Sequence, residues 1–352
     1  MNLSLDSMTL LDADMQDSHA HRSLRVVAIG GGTGLSTLLH GLREHVTSSV
    51  PDAVPGLISD LAALVTVTDD GGSSGRLRKG FNMLPPGDLR NCMVALCEEE
   101  DLLAQLFAHR FRGGDALKGH SFGNLFVAAL TEITGDFGLA IQLASKILAT
   151  RGRIYPVTTA DTTLVARMDD GSEVRGETKI TASKKRIAEL KLDPPSAAAL
   201  PEALEAIERA DLITVGPGSL YTSLITNLLV QDIPETLANA RGVRVYICNL
   251  MTQANESLGL TASEHIKRIY EHAGAPVFDY ALVNTSTFSD ETLARYAAED
   301  AAPVIADIED IEALGVRCVF GNFASEETAV RHAAGRVTEA LLALGRMSLA
   351  GA

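Results

Sequence analysis

The sequence predicts an α/β fold: a doubly wound, mostly parallel, Rossmann-like sheet with a small inserted β-hairpin region. Three observations predict it. Strand-like runs such as Leu24–Ile29 end in glycine and open directly into a helix. These runs are continuously apolar, the mark of strands covered on both faces. Glycine-rich turns recur after three such strands, and in this fold class those turns gather along the carboxyl edge of the sheet.

The elements follow in order. Residues 1–23 carry Asp6, Asp12, Asp14 and Asp17 and lack the basic start and apolar stretch of a secretory signal, so they read as a flexible extension. Leu24–Ile29 is the first strand, and a helix runs from the glycine turn to about Glu44. The second strand, Leu64–Thr68, enters Asp69-Asp70-Gly71-Gly72-Ser73-Ser74-Gly75. Helical patterning then covers Asp88–Ala149. A β-rich insertion at about residues 153–182 follows, with strands Ile154–Val157, Thr162–Arg167 and Glu173–Ile180 and a hairpin turn at Asp169-Asp170-Gly171. Lys191–Pro201 reads as a proline-bearing connection. Strands resume at Leu212–Val215, Val243–Cys248, Tyr280–Val283, Pro303–Ile305 and Arg317–Val319, and an amphipathic helix covers about Glu326–Arg346. The expected organisation is one domain over 24–346 and a tail at 347–352.

Composition narrows the function. A formal net charge of −15 over 352 residues repels nucleic acid and anionic lipid at long range. No apolar run reaches the ~20 residues that span a bilayer. Cys92, Cys97, Cys248 and Cys318 fit neither a redox pair nor a zinc knuckle, which points to buried, reduced thiols in a cytoplasmic protein.

The chemistry sits in the glycine turns. Gly31, Gly32, Thr33 and Gly34 lie where a strand meets a helix, so backbone N–H groups and the helix N-terminus favour an anion. The string GGGTGLS is neither the dinucleotide fingerprint nor a P-loop, and a packing turn is the alternative. Asp69 and Asp70 precede Gly72, Ser73 and Ser74. The two carboxylates could hold Mg²⁺ against phosphate oxygens, or simply cap the turn. Arg76 and Arg78 add local positive charge, and Lys79 reads as solvated. Asp88 fits an N-cap, with Arg90 behind it as a bidentate anion contact. His120 and Asn124 lie in a third polar helix start; a capping or hydrogen-bonding role for His120 outweighs acid–base catalysis. Gly216, Gly218 and Ser219 form the turn after Leu212–Val215, and Thr252 and Gln253 could add polar contacts. His265 reads as a surface helix residue.

Five strings in order carry a resemblance across about Leu24 to Arg346: IGGGTGLSTLL, TVTDDGGSSGRLRKGFNMLPPGDLRNCMVAL, GHSFGNLFVAALTEITGDF, ADLITVGPGSLYTSLITNLLV and NLMTQANE. The chain resembles the gluconeogenesis-factor family, the sister branch of the 2-phospho-L-lactate transferases. That resemblance implies a Rossmann-like α/β sandwich in the cytoplasm that binds a UDP-sugar and supports cell-wall supply and cell shape on non-glycolytic carbon. It implies ligand contacts from the three glycine loops and adds Tyr296 and Arg331. A UDP-sugar is the implied partner, with cell-wall synthesis proteins and a second copy of the chain as candidates and Mg²⁺ as the candidate cofactor. The sister branch implies the alternative, transfer of a phospholactyl group from a guanylylated donor. Thr226, Asn255, Ser257 and Ala333 depart from the family pattern. A dehydrogenase is disfavoured, because Leu35 replaces the last fingerprint glycine.

Overall fold

The computed structural model describes residues 3–5, 23–47, 56–98, 102–183 and 185–350. Its centre is an eight-stranded sheet built from β1 (Leu3–Ser4), β2 (Leu24–Gly30), β3 (Ile58–Val65), β4 (Arg153–Pro156), β8 (Leu212–Val215), β9 (Val243–Ile247), β10 (Tyr280–Asn284) and β11 (Arg317–Gly321). The spatial order is β1-β11-β10-β9-β8-β2-β3-β4, and every neighbouring pair is parallel.

Continuous apolar runs form these strands because both faces are covered. Along β2, Val26 and Ala28 enter one hydrophobic core while Val27 and Ile29 enter the other. The same alternation repeats in β3, where Ala63 and Val65 face one core and Ala62 and Leu64 the other. The first half of the chain winds outward from β2 to β3 and β4. The second half winds the opposite way from β8 to β11. The reversal falls between β2 and β8, and in such sheets the crevice at that point is where ligands bind.

A second, antiparallel sheet, β6-β5-β7, makes up the insertion: β5 (Thr163–Met168), β6 (Glu173–Arg175) and β7 (Ile187–Asp193). It is larger than the expected hairpin and lies further along the chain. Ile154–Val157 does not belong to it, since Arg153–Pro156 is the edge strand beside β3, where the missing N–H of Pro156 is tolerated. Glu173–Ile180 is not one strand either. Gly176, at φ +95°, ends β6, and a helix Glu177–Ala182 follows. The first residues of the supposed connection, 191–193, are ladder residues of β7.

Other expectations shift for local reasons. The second strand begins at Ile58 and stops at Val65, because β2 turns into its helix after Gly30 and leaves Thr66–Thr68 little to pair with. Pro303–Ile305 makes only an isolated bridge, Met251 to Pro303, with Val304 N–H donating to the Leu250 carbonyl outside the main sheet. Residues 324–332 form an antiparallel hairpin, β12 (Ala324–Glu326) and β13 (Val330–His332), so the last helix starts at Ala334 rather than Glu326. That helix continues to Ala350 because Met347 and Leu349 still pack on the core, and of the expected tail only 351 and 352 lie outside the described residues. At the other end Leu3 and Ser4 pair with β11, while 6–22 of the expected extension lie outside the described residues. His265 is fully buried, not at the surface: it shares a helix face with Ala262, Ile266 and Ile269, and its Nδ1 lies 2.8 Å from the Thr261 carbonyl. All four cysteines are buried thiols, and no described helix is long and apolar enough to cross a membrane.

Candidate functional site

A cavity of about 530 Å³ opens at the switch between β2 and β8. Its first wall is the loop after β2. Helix Gly32–Arg43 begins here with no side-chain cap of its own and no acidic residue in its first turn. A helix leaves its first N–H groups without intrahelical partners. Here Gly32 N–H donates to Asp88 Oδ2 at 2.8 Å, and Thr33 and Gly34 line the cavity. Gly32 sits at φ +63°, a conformation that favours glycine. Gly34 is required for a different reason. A Cβ there would lie 2.5 Å from the Pro217 carbonyl, so the two glycine loops interlock backbone to backbone.

The second wall is the loop after β8, where Gly218 and Ser219 face the cavity and Gly216, at φ +99°, does not line it. The π-helical turn Leu220–Ile225 follows. Its N-terminus is already occupied by the protein. Glu256 Oε2 accepts from Tyr221 N–H at 3.0 Å and more weakly from Thr222 N–H, and Oε1 accepts from the Thr222 hydroxyl at 2.8 Å. Burial raises the Glu256 carboxyl even so.

The far wall carries Thr252, Gln253, Tyr296, Arg331 and His332. Gln253 Nε2 donates to Ser219 Oγ at 3.0 Å, tying the two edges together. The Tyr296 hydroxyl accepts from Val330 N–H at 2.9 Å, which fixes its ring beside the hairpin. Arg331 sits on β13 and not at a helix start. Burial pushes the His332 imidazole down to about 4, so it is neutral at physiological pH, with Nε2 3.0 Å from the Cys248 carbonyl.

Three carboxylates complete the floor: Asp69, Asp88 and Glu177. Asp69 Oδ1 accepts from Gly71 N–H at 2.9 Å. Asp88 is not the expected N-cap, since Pro86 occupies that place. It reaches across to Gly32 instead, and burial raises its carboxyl to about 6. Burial, reinforced by Asp69 and Asp88, pushes Glu177 up to about 9, so it keeps its proton at neutral pH.

Asp69 and Asp70 engage different partners. Asp70 Oδ1 turns away to accept from Thr178 N–H at 2.8 Å and from its hydroxyl at 2.5 Å, capping the helix Glu177–Ala182. No group of three or more His, Cys, Asp or Glu residues is placed to hold a metal among the described residues. Gly72, Ser73, Ser74, Arg90 and Asn124 also lie off the cavity lining. Ser73, Asn124, Arg90 and His120 form a separate buried cluster behind Asp69. Lys79 is exposed, as expected. Arg76 donates to the Lys118 carbonyl and Arg78 pairs with Asp161.

The profile of the family described as "2-phospho-L-lactate transferase CofD" matches residues 26–324. A protein named "Gluconeogenesis factor" from Halalkalibacterium halodurans is 47% identical over 318 residues, covering 90% of this chain and 95% of that one. Its Bacillus subtilis counterpart, of the same name, is 43% identical over 321 residues, covering 91% and 98%. A crystal structure of a Bacillus halodurans protein superposes with a TM-score of 0.86 at 46% identity, covering 91% of this chain and all of the other. The chain belongs to the gluconeogenesis-factor branch of the CofD family.

Within that family pattern, the departures have structural partners here. The Thr226 hydroxyl donates to the Tyr221 carbonyl at 2.9 Å, and Asn255 Nδ2 donates to the Thr181 carbonyl at 2.7 Å. Ser257 Oγ accepts from Gln253 N–H, and Ala333 N–H donates to the Phe323 carbonyl. Sequence reasoning did not single out Glu177 or Glu256 in this CofD-family site. Glu256 closes the NLMTQANE string, and a carboxylate at the end of a loop beside a buried strand was its only signal. Glu177 had none beyond following Gly176.

Proposed function

We propose that the switch-point cavity binds a UDP-sugar, with its diphosphate against Thr33, Gly34, Gly218 and Ser219, and that the protein acts as a cytoplasmic factor serving cell-wall supply and cell shape under gluconeogenic growth. One observation carries this reading: a helix N-terminus with only its Gly32 N–H taken by a side chain and a second glycine loop face the same cavity, with Arg331 and Tyr296 opposite. Helix N-termini favour anions, an arginine fork suits phosphate, and a tyrosine ring can stack on a base. The cavity volume falls within the roughly 300–1,000 Å³ usual for small-molecule sites. The relatives' name, "Gluconeogenesis factor", supports the link to gluconeogenic growth.

Isothermal titration with UDP-N-acetylglucosamine tests the proposal. Saturable binding that is lost in Arg331→Ala, with GDP binding no better than UDP, is the expected result. No heat at about 100 μM protein, where a ligand of micromolar Kd gives a full isotherm, overturns it.

A phospholactyl transferase is the second reading, favoured by the carboxylates at the cavity floor and by the description of the matched family. The acceptor's hydroxyl oxygen would attack the lactyl phosphate, GMP would leave, and the hydroxyl proton would pass to Asp69. Turnover with a guanylylated donor and a deazaflavin alcohol that disappears in Asp69→Asn supports it; no product at any acceptor concentration removes it.

A further inference from the structure

The buried cluster of Ser73, Asn124, Arg90 and His120 contains a cation with no carboxylate in direct contact among the described residues. Arg90 is 8% exposed. Its Nε donates to Asn124 Oδ1 at 3.3 Å, and its terminal amino groups meet no acceptor among the described residues. No carboxylate of those residues lies within ion-pair distance of it. Burial lowers the Arg90 guanidinium most, Arg110 lowers it further, and the Asp88 carboxylate opposes both. A buried charge without a close partner is costly, and Asp88 acts on this one only from beyond ion-pair distance.

The surroundings are those of an oxyanion site. Asn124 Nδ2 donates to Ser73 Oγ at 3.2 Å, and Ser73 Oγ lies 2.9 Å from His120 Nδ1. Asn124 therefore fixes the hydroxyl proton on the His120 side, leaving the ring's other nitrogen to carry its own hydrogen. Ser73 lies in the first turn of helix Gly72–Phe81, which has no side-chain cap and no acid in that turn. Gly123 lets the arginine lie flat against the next helix, since a Cβ there would meet Arg90 Cγ at 2.7 Å. Arg76 and Arg110 hold the rim loop through the Lys118 and Gly119 carbonyls.

We infer that Arg90, Asn124, Ser73 and His120, with the N-terminus of helix Gly72–Phe81, form a second anion site that takes a phosphate or carboxylate group of a small molecule. None of these four side chains lines the switch-point cavity. The inference therefore stands whether or not that cavity holds a UDP-sugar.

The test is thermal unfolding of the full chain with inorganic phosphate, against chloride at matched ionic strength. The wild type should gain stability saturably with phosphate. Arg90→Met keeps the stem's packing and removes the charge. It should melt no lower than wild type without phosphate, and its phosphate midpoint should rise by about tenfold or more, as expected for loss of a charged bidentate contact. If Arg90→Met does not fold, Ser73→Ala serves in its place, with a smaller rise expected. Arg331→Ala, in the other cavity, should respond to phosphate like wild type. A phosphate response that survives in Arg90→Met, or that disappears in Arg331→Ala, overturns the inference, as does no response in the wild type. Repeating the titration with saturating UDP-N-acetylglucosamine separates the sources. A response that persists means a separate anionic metabolite, and one that is abolished means the bound ligand's own tail reaches Arg90.

Discussion

The loops after β2 and β8 are built alike and finished differently. Both leave a central parallel strand through glycines, both open a helical turn, and they touch at Gly34 and Pro217. In the first, a carboxylate takes one terminal N–H, that of Gly32, and the N-terminus remains open toward the cavity. In the second, Glu256 takes two N–H groups and a hydroxyl, so the protein fills that turn with a carboxyl of its own. Glycine-rich sequence alone therefore does not make an anion site; what matters is whether a distant carboxylate has already filled it.

Breaking the interlock should have the largest effect. Gly34→Ala places a Cβ against the Pro217 carbonyl, in backbone that cannot rotate away. We expect a loss of about 1–3 kcal/mol in chemical denaturation and loss of nucleotide-sugar binding. Wild-type stability with binding intact would show that the loops are not coupled.

Emptying the filled loop comes next. Glu256→Ala strands two N–H groups and the Thr222 hydroxyl, and should cost about 1–2 kcal/mol. Glu256→Gln keeps an acceptor oxygen and should recover most of that loss in the same denaturation series. Equal losses in the two variants would mean that charge, not capping, is what Glu256 supplies.

Glu177, on the floor of the same cavity, keeps its proton because it is buried. A carboxyl raised to about 9 contributes stability that is complete below its unfolded value near 4.5 and is lost as pH rises through 9. Glu177→Gln should accordingly melt a few degrees higher than wild type at pH 9 and match it near pH 4.5, taking about 2–4 °C per kcal/mol. A constant difference across that range would mean that the proton is not the cause.

Asp88 gives the smallest and most local effect. With its carboxyl raised to about 6, it is mostly ionised at pH 7.5 beside Gly32. Titrations should show phosphate-bearing ligands binding more tightly at pH 5 than at pH 7.5. Asp88→Asn should bind a few-fold more tightly at pH 7.5 and lose that dependence. An unchanged pH profile in the variant would place the diphosphate elsewhere.

The β2 and β8 strands and their glycines were legible because burial on both faces imposes continuous apolar runs and a tight exit imposes glycine. Their shared edge followed from the topology of parallel sheets. The finishing carboxylates were not legible. Asp88 lies 56 positions from Gly32 and Glu256 lies 35 from Tyr221, so each pairing exists only once the chain has folded. Asp70 shows the converse: adjacency to Asp69 suggested a metal pair, yet the backbone turns the two side chains to different partners. Glu173–Ile180 misled because alternation cannot register that Gly176 reverses the chain, and Glu326–His332 because a short hairpin carries too few residues to show a period. His265 shows the limit of residue type as a guide to exposure.

The helix Glu177–Ala182 is fastened twice to the main body, by Asp70 at its N-terminus and by Asn255 at the Thr181 carbonyl. It also supplies Glu177 and Thr181 to the cavity wall. The small antiparallel sheet is thus pinned beside the cavity through the helix that joins β6 to β7. Any shift of Glu177 or Thr181 at the cavity wall is therefore passed along the chain to β6 on one side and β7 on the other.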